Sequence, residues 1–101
     1  MYSVYILTNK WQTVLYTGLT DNLEVRLLQH KDRVFDGFTK RYNCDVLVYF
    51  EFLETADEAN RREKQIEGWT RVKKVELIQS RNPEWPDLSK GILRSAQDSC
   101  Q

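Results

Sequence analysis

Long hydrophobic runs are absent from this sequence, and cysteine is scarce. No apolar stretch approaches the ~18 residues of a membrane-spanning helix, which predicts no membrane segment. The opening MYSVYILTNK lacks the basic flank and cleavage site of a signal peptide, so we expect a cytoplasmic protein. Cys44 and Cys100 have neither a disulfide framework nor a metal-ligand spacing, and both should be free thiols. Cys44 is expected to be a small buried apolar group.

The chain also lacks net charge. Its 15 Lys and Arg balance its 15 Asp and Glu, which argues against strong nucleic-acid binding through charge alone. The distribution is uneven, because residues 45–58 carry only acidic charges and residues 61–74 are mostly basic. For the basic run, a solvated helix face is one interpretation. A second basic group is interleaved with aromatic residues, as is typical of a loop that contacts phosphates: Lys31, Arg33, Lys40 and Arg41 with Phe35, Phe38 and Tyr42.

The first third of the chain predicts a β-hairpin followed by a helix. Residues 2–8 alternate and are rich in β-branched and aromatic side chains, and residues 14–19 form the returning strand after a polar turn. Asp21 offers an N-cap with Glu24 three residues later, which is the spacing of a capping box. We therefore expect a helix over about residues 22–31, followed by a loop to about residue 43.

The remainder predicts one more strand and two helices. Residues 46–52 alternate with both faces largely apolar, as in a strand covered on both sides. Thr55 and Glu58 repeat the capping-box spacing, and Gly68 supplies a stop for that helix. A shorter helix over about residues 71–79 ends before Pro83. We expect one domain over residues 1–88, with a flexible tail over residues 89–101.

Polar side chains lie beside the apolar stripes of two of these helices. At 100° per residue, Arg26 and His30 share an arc of roughly 100° with Leu23 and Leu27. Glu63 follows the same helical spacing as Ala56, Ala59 and Ile66 and so lies on their otherwise apolar face. A carboxylate there is costly to desolvate unless it is paired or binds a metal. Each of these residues also has a purely structural interpretation. Glu63 could form an internal salt bridge with Arg26 or a neighbouring residue, His30 could be a half-buried imidazole, and Tyr5 and Tyr16 could be core aromatics.

These residues and their surroundings resemble the GIY-YIG nuclease superfamily, in particular its short stand-alone bacterial members. The resemblance covers residues 1–88 and rests on Ser-Val-Tyr at 3–5 and Tyr-Thr-Gly at 16–18. Arg26, His30, the GFTKRYN segment at 37–43 and the REKQIEGW segment at 62–69 make the joint match specific. Ser3 and Thr17 stand where the family usually has glycine and isoleucine, and stand-alone members share both departures.

The resemblance implies an α+β fold in which helices pack on a small three-stranded antiparallel sheet, in the order β-β-α-β-α-α. It also implies divalent-metal-dependent hydrolysis of phosphodiesters in nucleic acid, with DNA a better candidate than RNA. The implied cofactor is Mg²⁺, with Mn²⁺ as a substitute, and the implied context is DNA repair or processing. We expect a structure-specific substrate, which is branched, flapped or single-stranded DNA. A non-catalytic nucleic-acid-binding module with the same fold is the alternative, and the oligomeric state is left open.

Roles for individual residues follow from the resemblance and from the chemistry. Glu63 would hold the metal, and Arg26 would clamp the scissile phosphate. Tyr16 or Tyr5 would take a proton from the attacking water, with Arg26 and the metal favouring the phenolate. His30 would relay that proton or hydrogen-bond the phosphate. Further nucleic-acid contacts are expected from Gly18, Lys31, Thr39, Lys40, Arg41 and Arg62. Asn82 is a candidate for an asparagine that family members use late in the domain. All catalytic groups are expected on one face of the sheet.

Overall fold

The computed structural model describes residues 1–31, 44–89 and 91, and within these ranges it describes only the backbone of His30 and Lys31. The described chain has six elements, whose order confirms the predicted one. They are β1 (Tyr2–Thr8), β2 (Leu15–Thr20), α1 (Leu23–Lys31), β3 (Val46–Leu53), α2 (Ala56–Glu67) and α3 (Arg71–Arg81). The strands form an antiparallel sheet in the order β2-β1-β3. The expected α+β fold is therefore confirmed.

The helices cover both faces of this sheet. On one face, Val4 and Ile6 of β1 pack with residues of α2 and α3, namely Ala59, Ile66 and Ile78. On the other face, Tyr5 and Leu7 pack with Leu23 and Leu27 of α1. The central strand is thus enclosed on both sides, which explains why its residues read as a continuous apolar run. The expectation that one face carries the whole catalytic group is wrong, because α1 and α2 lie on opposite faces.

A β-bulge in β3 adjusts the third strand to this two-sided core. Ile6 pairs with Tyr49 and Leu7 pairs with Leu47, so Val48 is an extra residue between two pairs. Val48 and Tyr49 both join the cluster under α2 and α3, whereas Leu47 joins the cluster under α1. The bulge therefore lets consecutive apolar residues of β3 fill the correct side of the sheet.

The turn between β1 and β2 is fixed by side chains. The amide of Asn9 donates to the hydroxyl of Thr13 at 2.7 Å, and the Thr13 backbone N–H donates to Asn9 Oδ1 at 2.9 Å. Gln12 has a positive φ of 58°. From the start of α3, the guanidinium of Arg71 donates to the carbonyl oxygens of Gln12, at 2.6 Å, and Thr13, at 3.2 Å. These bonds join the turn to a helix that is distant in sequence.

The helix ends agree with the predicted caps at Thr55 but differ elsewhere. For α1 the cap is Asn22, whose Oδ1 accepts from the Val25 N–H at 3.2 Å, so the predicted capping box at Asp21 is wrong by one residue. Thr55 accepts from the Glu58 N–H, as predicted, and Thr70 caps α3. Gly68 ends α2 with φ −77°, so it supplies no left-handed turn.

The packed structure extends past the predicted boundary at residue 88. The Leu88 N–H donates to the Leu47 carbonyl at 2.8 Å, and Asp87 Oδ1 accepts from the Leu47 N–H at 3.1 Å. Ser89 is fully buried and its hydroxyl donates to Asp87. Ser89 therefore belongs to the folded part rather than to a tail, while residues 92–101 lie outside the described residues. None of the described helices has the length and apolar character needed to cross a membrane.

Candidate active site

Two tyrosines face each other across β1 and β2 on the α1 side of the sheet. Tyr5 pairs with Gly18 and is fully buried, and Tyr16, which pairs with Leu7 two positions further along, is half-buried. Their ring centres lie 6.4 Å apart. A Cβ atom on Gly18 would lie 2.4 Å from the Tyr5 ring and hydroxyl, so the glycine provides the space that this ring fills. The need for a glycine at position 18 therefore has a structural reason, the packing of Tyr5, in addition to the nucleic-acid contact that the sequence predicted.

Arg26 extends from α1 to the same tyrosines. Its guanidinium hydrogen-bonds the Tyr5 hydroxyl, and its positive charge acts on both Tyr5 and Tyr16. Leu23 and Leu27 bury the neighbouring positions of the helix against the sheet, whereas Arg26 stays half-buried. Leu23 and Leu27 therefore fix α1 on the sheet, and the Arg26 side chain between them stays partly accessible to solvent.

Glu63 approaches from the other layer of the molecule. Helix α2 packs on the face opposite the tyrosines and contacts β2, which is an edge strand. The Glu63 charge nevertheless acts on Tyr5 and on Tyr16 and raises the pKa of each, so α2, through its contact with β2, brings this charge within electrostatic range of both. The side chain is half-buried, and no basic side chain among the described residues forms an ion pair with it. The salt bridge with Arg26 that the sequence left open is absent from this part of the chain.

Glu67, one turn after Glu63, is a member of this group that the sequence prediction missed. Its charge acts on Tyr16 and also on Glu63. Burial first, and Glu67 second, raise the pKa of the Glu63 carboxyl, while Lys64 lowers it. The signal in the sequence was the spacing of four residues between two acidic side chains on one helix.

Burial dominates the pKa values of both tyrosines. Burial raises the pKa of Tyr5 far above its ordinary value, and the neighbouring Tyr16 raises it further, against the lowering effect of Arg26. Burial likewise raises the pKa of Tyr16, again more than Arg26 lowers it. Arg26 thus favours the phenolate, as expected, but its effect is smaller than that of burial, because desolvation of the anion outweighs the nearby cation.

The donor set limits how a metal ion could be held. Among the described residues, no group of three or more His, Cys, Asp or Glu side chains is placed to bind a metal. Within the described part of the chain, the half-buried Glu63 carboxylate forms no ion pair and is repelled by Glu67, so it fits a hard cation that keeps most of its water. A cation beside it would relieve that repulsion.

Arg62 and Asn82 have structural partners away from the tyrosines. Arg62 Nε donates to Glu51 Oε1 at 2.5 Å, and the Arg62 guanidinium lies 5.3 Å from the centre of the Trp69 ring. Asn82 is buried and its amide donates to the carbonyl oxygens of Val48, at 3.0 Å, and Pro86, at 3.1 Å. Arg62 thus ties α2 to β3, and Asn82 ties the end of α3 to the sheet. The structure does not bring either residue to the tyrosine pair.

The remaining predicted contacts fall outside what the structure describes. His30 lies in the last turn of α1, one turn after Arg26, but its side chain is outside the described part. The same holds for the side chain of Lys31. Thr39, Lys40 and Arg41 lie in the undescribed segment 32–43. Their predicted roles stay sequence predictions.

Comparison with known proteins places this geometry in a family. The model of the GIY-YIG catalytic domain matches residues 1–76. A UPF0213 protein of Clostridium perfringens is 40% identical over 89 residues, covering 88% of this chain and 95% of that protein. A UPF0213 protein of Staphylococcus haemolyticus is 38% identical over 78 residues, covering 77% of this chain and 94% of that protein.

A solved structure supports the same assignment. The solution NMR structure of a UPF0213 protein from Bacillus halodurans matches with a TM-score of 0.56 at 26% identity, covering 89% of this chain and 96% of that one. The matched residues 1–76 include Tyr5, Tyr16, Arg26 and Glu63. The chain therefore belongs to the GIY-YIG family of nucleases, and its full-length relatives are small UPF0213 proteins.

Proposed function

We propose that this protein is a divalent-metal-dependent endonuclease that hydrolyses phosphodiester bonds in DNA during DNA processing. One observation carries the proposal: Tyr5, Tyr16, Arg26 and Glu63, which come from four different elements, interact electrostatically at the β2 edge of the sheet. If Arg26 and Glu63 served only to stabilise the fold, we would expect them to form an ion pair with each other. Here the cation contacts Tyr5, and Glu63 has no ion-pair partner among the described residues.

Arg26 is the residue that binds the scissile phosphate in this proposal. Its guanidinium can donate two parallel hydrogen bonds to phosphate oxygens and is always charged. Tyr5 accepts a hydrogen bond from the same group and holds it in place. Since Tyr5 is fully buried and its pKa is raised so strongly, it acts as a positioning residue rather than as a base.

Tyr16 is the base that the geometry favours. It is half-buried, so its hydroxyl can meet a water molecule that attacks the phosphorus, and Arg26 partly opposes the rise in its pKa. Tyr16 would act as the phenolate, after its hydroxyl has released its proton to solvent. The phenolate oxygen takes the proton of the attacking water as the new P–O bond forms, and the departing sugar oxygen takes a proton from solvent as its bond to phosphorus breaks. His30, one helical turn from Arg26, remains a candidate for proton transfer to or from this site.

Glu63 would hold Mg²⁺, or Mn²⁺ in its place. A single carboxylate suits an ion that retains several waters and uses the substrate phosphate as a further ligand. When bound, the ion supplies positive charge that stabilises the charge developing on the phosphoryl oxygens and makes the phenolate of Tyr16 less costly. Glu67 adds negative charge to the same place and would strengthen the attraction of the cation.

A cleavage assay with one acidic variant and one matched control tests the proposal. Supercoiled plasmid and branched DNA are incubated with the wild-type protein, with Glu63→Gln and with Glu76→Gln, in Mg²⁺ and in EDTA. Glu76 is an exposed glutamate within α3, so its substitution removes the same charge away from the tyrosines. We expect cleavage by the wild type and Glu76→Gln in Mg²⁺ only, and a loss of roughly 100-fold or more in Glu63→Gln.

The same assay separates the non-catalytic alternative. Binding of DNA by the wild type without cleavage in Mg²⁺ or Mn²⁺ would replace the proposed function with that of a nucleic-acid-binding module. Cleavage by Glu63→Gln at the wild-type rate would remove Glu63 from the site.

A further inference from the structure

The tip of the β1–β2 hairpin exposes a large aromatic ring next to a cation. Trp11 is 71% exposed, although tryptophan is usually largely buried. The ammonium of Lys10 lies 4.6 Å from the centre of the Trp11 ring. An exposed ring with an adjacent positive charge is the combination that binds a nucleobase and its phosphate.

The backbone that carries this ring is held in a single arrangement. The side chain of Asn9 bonds both the hydroxyl and the N–H of Thr13, and the Gln12 N–H donates to the Asn9 carbonyl at 3.0 Å. Arg71 holds the carbonyl oxygens of Gln12 and Thr13 from outside the hairpin. Because the turn is ordered before any ligand arrives, a base that stacks on Trp11 need not order it.

The two ends of the sheet also differ in charge. One end of the sheet lies where Tyr2 pairs with Leu53 and Ser3 pairs with Thr20. The segments that follow β2 and β3 at this end are acidic and contain Asp21, Glu24, Glu54, Asp57 and Glu58. At the hairpin end, the turn and the first turn of α3 carry no acidic residue and include Lys10, Arg71, Lys73 and Lys74. Asp45, at the start of β3, lies on the far side of β1 from β2. Glu67, which ends α2 four residues before Arg71, adds an acidic charge toward this end, but the turn itself and the first turn of α3 offer only cations to a polyanion.

We propose that the hairpin end binds a single-stranded segment of the substrate, with an unpaired base stacked on Trp11 and its phosphates near Lys10 and Arg71. This inference deepens the proposed function, on which it rests. Trp11 precedes Tyr16 by five residues along the hairpin, so the two are at most about 17 Å apart. A single strand of roughly five stacked nucleotides spans that distance. The substrate class is thus DNA with an unpaired tail or flap rather than blunt duplex.

A binding measurement with two aromatic variants tests this inference without relying on cleavage. Fluorescence anisotropy in EDTA gives the dissociation constants of a labelled duplex with a single-stranded tail and of the same duplex with blunt ends. The proteins are the wild type, Trp11→Ala, Trp11→Phe and Phe52→Ala. Phe52 is the matched control, because it is also exposed, at 58%, but lies at the acidic end of the sheet.

We expect Trp11→Ala to weaken binding of the tailed duplex roughly 5- to 100-fold, which is the range for loss of one base–aromatic stack. Trp11→Phe keeps a ring and should retain most of the affinity, and Phe52→Ala should bind like the wild type. Circular dichroism melting of each variant checks that the fold is intact. Equal affinities of the wild type and Trp11→Ala for the tailed duplex, or an equal loss in Phe52→Ala, would overturn the inference.

Failure of this inference and failure of the proposed function give different results. A wild type that binds tailed DNA through Trp11 but never cleaves it refutes the nuclease and leaves the stacking site in place. A wild type that cleaves in Mg²⁺ while Trp11→Ala binds equally well refutes the stacking site and leaves the nuclease in place. A wild type without affinity for the tailed duplex overturns the stacking site.

Discussion

At the scale of single residues, burial rather than charge decides the state of the tyrosine pair. Tyr5 has a guanidinium within hydrogen-bond distance, yet its pKa rises because the ring and hydroxyl are enclosed. The enclosure depends on Gly18, whose missing Cβ leaves the room for the Tyr5 ring. The sequence could indicate that this tyrosine and this glycine belong to one motif, but not that one makes space for the other, since that follows from the strand register.

Gly18→Ala should therefore destabilise the protein. The added Cβ would lie 2.4 Å from the Tyr5 ring, so the ring must move away and lose its packing and its bond to Arg26. We expect a loss of about 1–3 kcal/mol in the free energy of unfolding, measured with urea. Gly68→Ala is the control, because its Cβ would meet nothing closer than 3.5 Å and its φ of −77° suits alanine. Unchanged stability in Gly18→Ala would show that the ring is not confined.

At the scale of elements, the sequence predicted where the strands and helices lie along the chain, but not on which face of the sheet each helix packs. The alternation of β1 and β3 and the cap at Thr55 are local properties, and the structure confirms them. The placement of α1 and α2 on opposite faces depends on long-range packing, and an apolar strand gives no sign of which helix covers which side. For the same reason, the sequence identified Glu63 as a site residue but could not show that its helix lies on the face opposite the tyrosines and adjoins them through the edge strand β2.

The bond between α3 and the hairpin is another contact that only the folded chain reveals. Arg71→Ala removes two hydrogen bonds from a charged donor to the carbonyl oxygens of Gln12 and Thr13. We expect faster hydrogen exchange of the Gln12 and Thr13 amides and a loss of about 1 kcal/mol in stability, since the site is exposed. Val72→Ala, an exposed neighbour, is the control. Protection of the two amides at the wild-type level would mean that Asn9 alone holds the turn.

At the scale of the whole molecule, stability should fall in alkaline solution. Burial and Asp45 raise the pKa of the Cys44 thiol from 9.0 to about 11, and burial raises the pKa values of Tyr5, Tyr16 and Tyr49 above 10.0. The folded state thus keeps protons that the unfolded state releases. This contribution is complete below the unfolded pKa values and is lost as the pH rises through the folded ones.

The free energy of unfolding should therefore be level from pH 7 to about 8 and decline above about 9, where the thiol of the unfolded chain ionises. Urea unfolding at a series of pH values measures this curve. Cys44→Ala should have a shallower decline between pH 9 and 11, because it lacks the titrating thiol. An identical slope in the variant and the wild type would mean that Cys44 is not protected from ionising.

The most direct measurement of the central claim is a double-mutant cycle on the single-turnover rate of DNA cleavage, with Arg26→Ala, Glu63→Gln and the variant carrying both. The claim is that these two residues, on opposite faces of the sheet, act on one phosphate. Each single change should then lower the rate roughly 100-fold or more, and the double change should lower it little further. Losses that multiply in the double variant, or a single variant that cleaves at the wild-type rate, would contradict the claim.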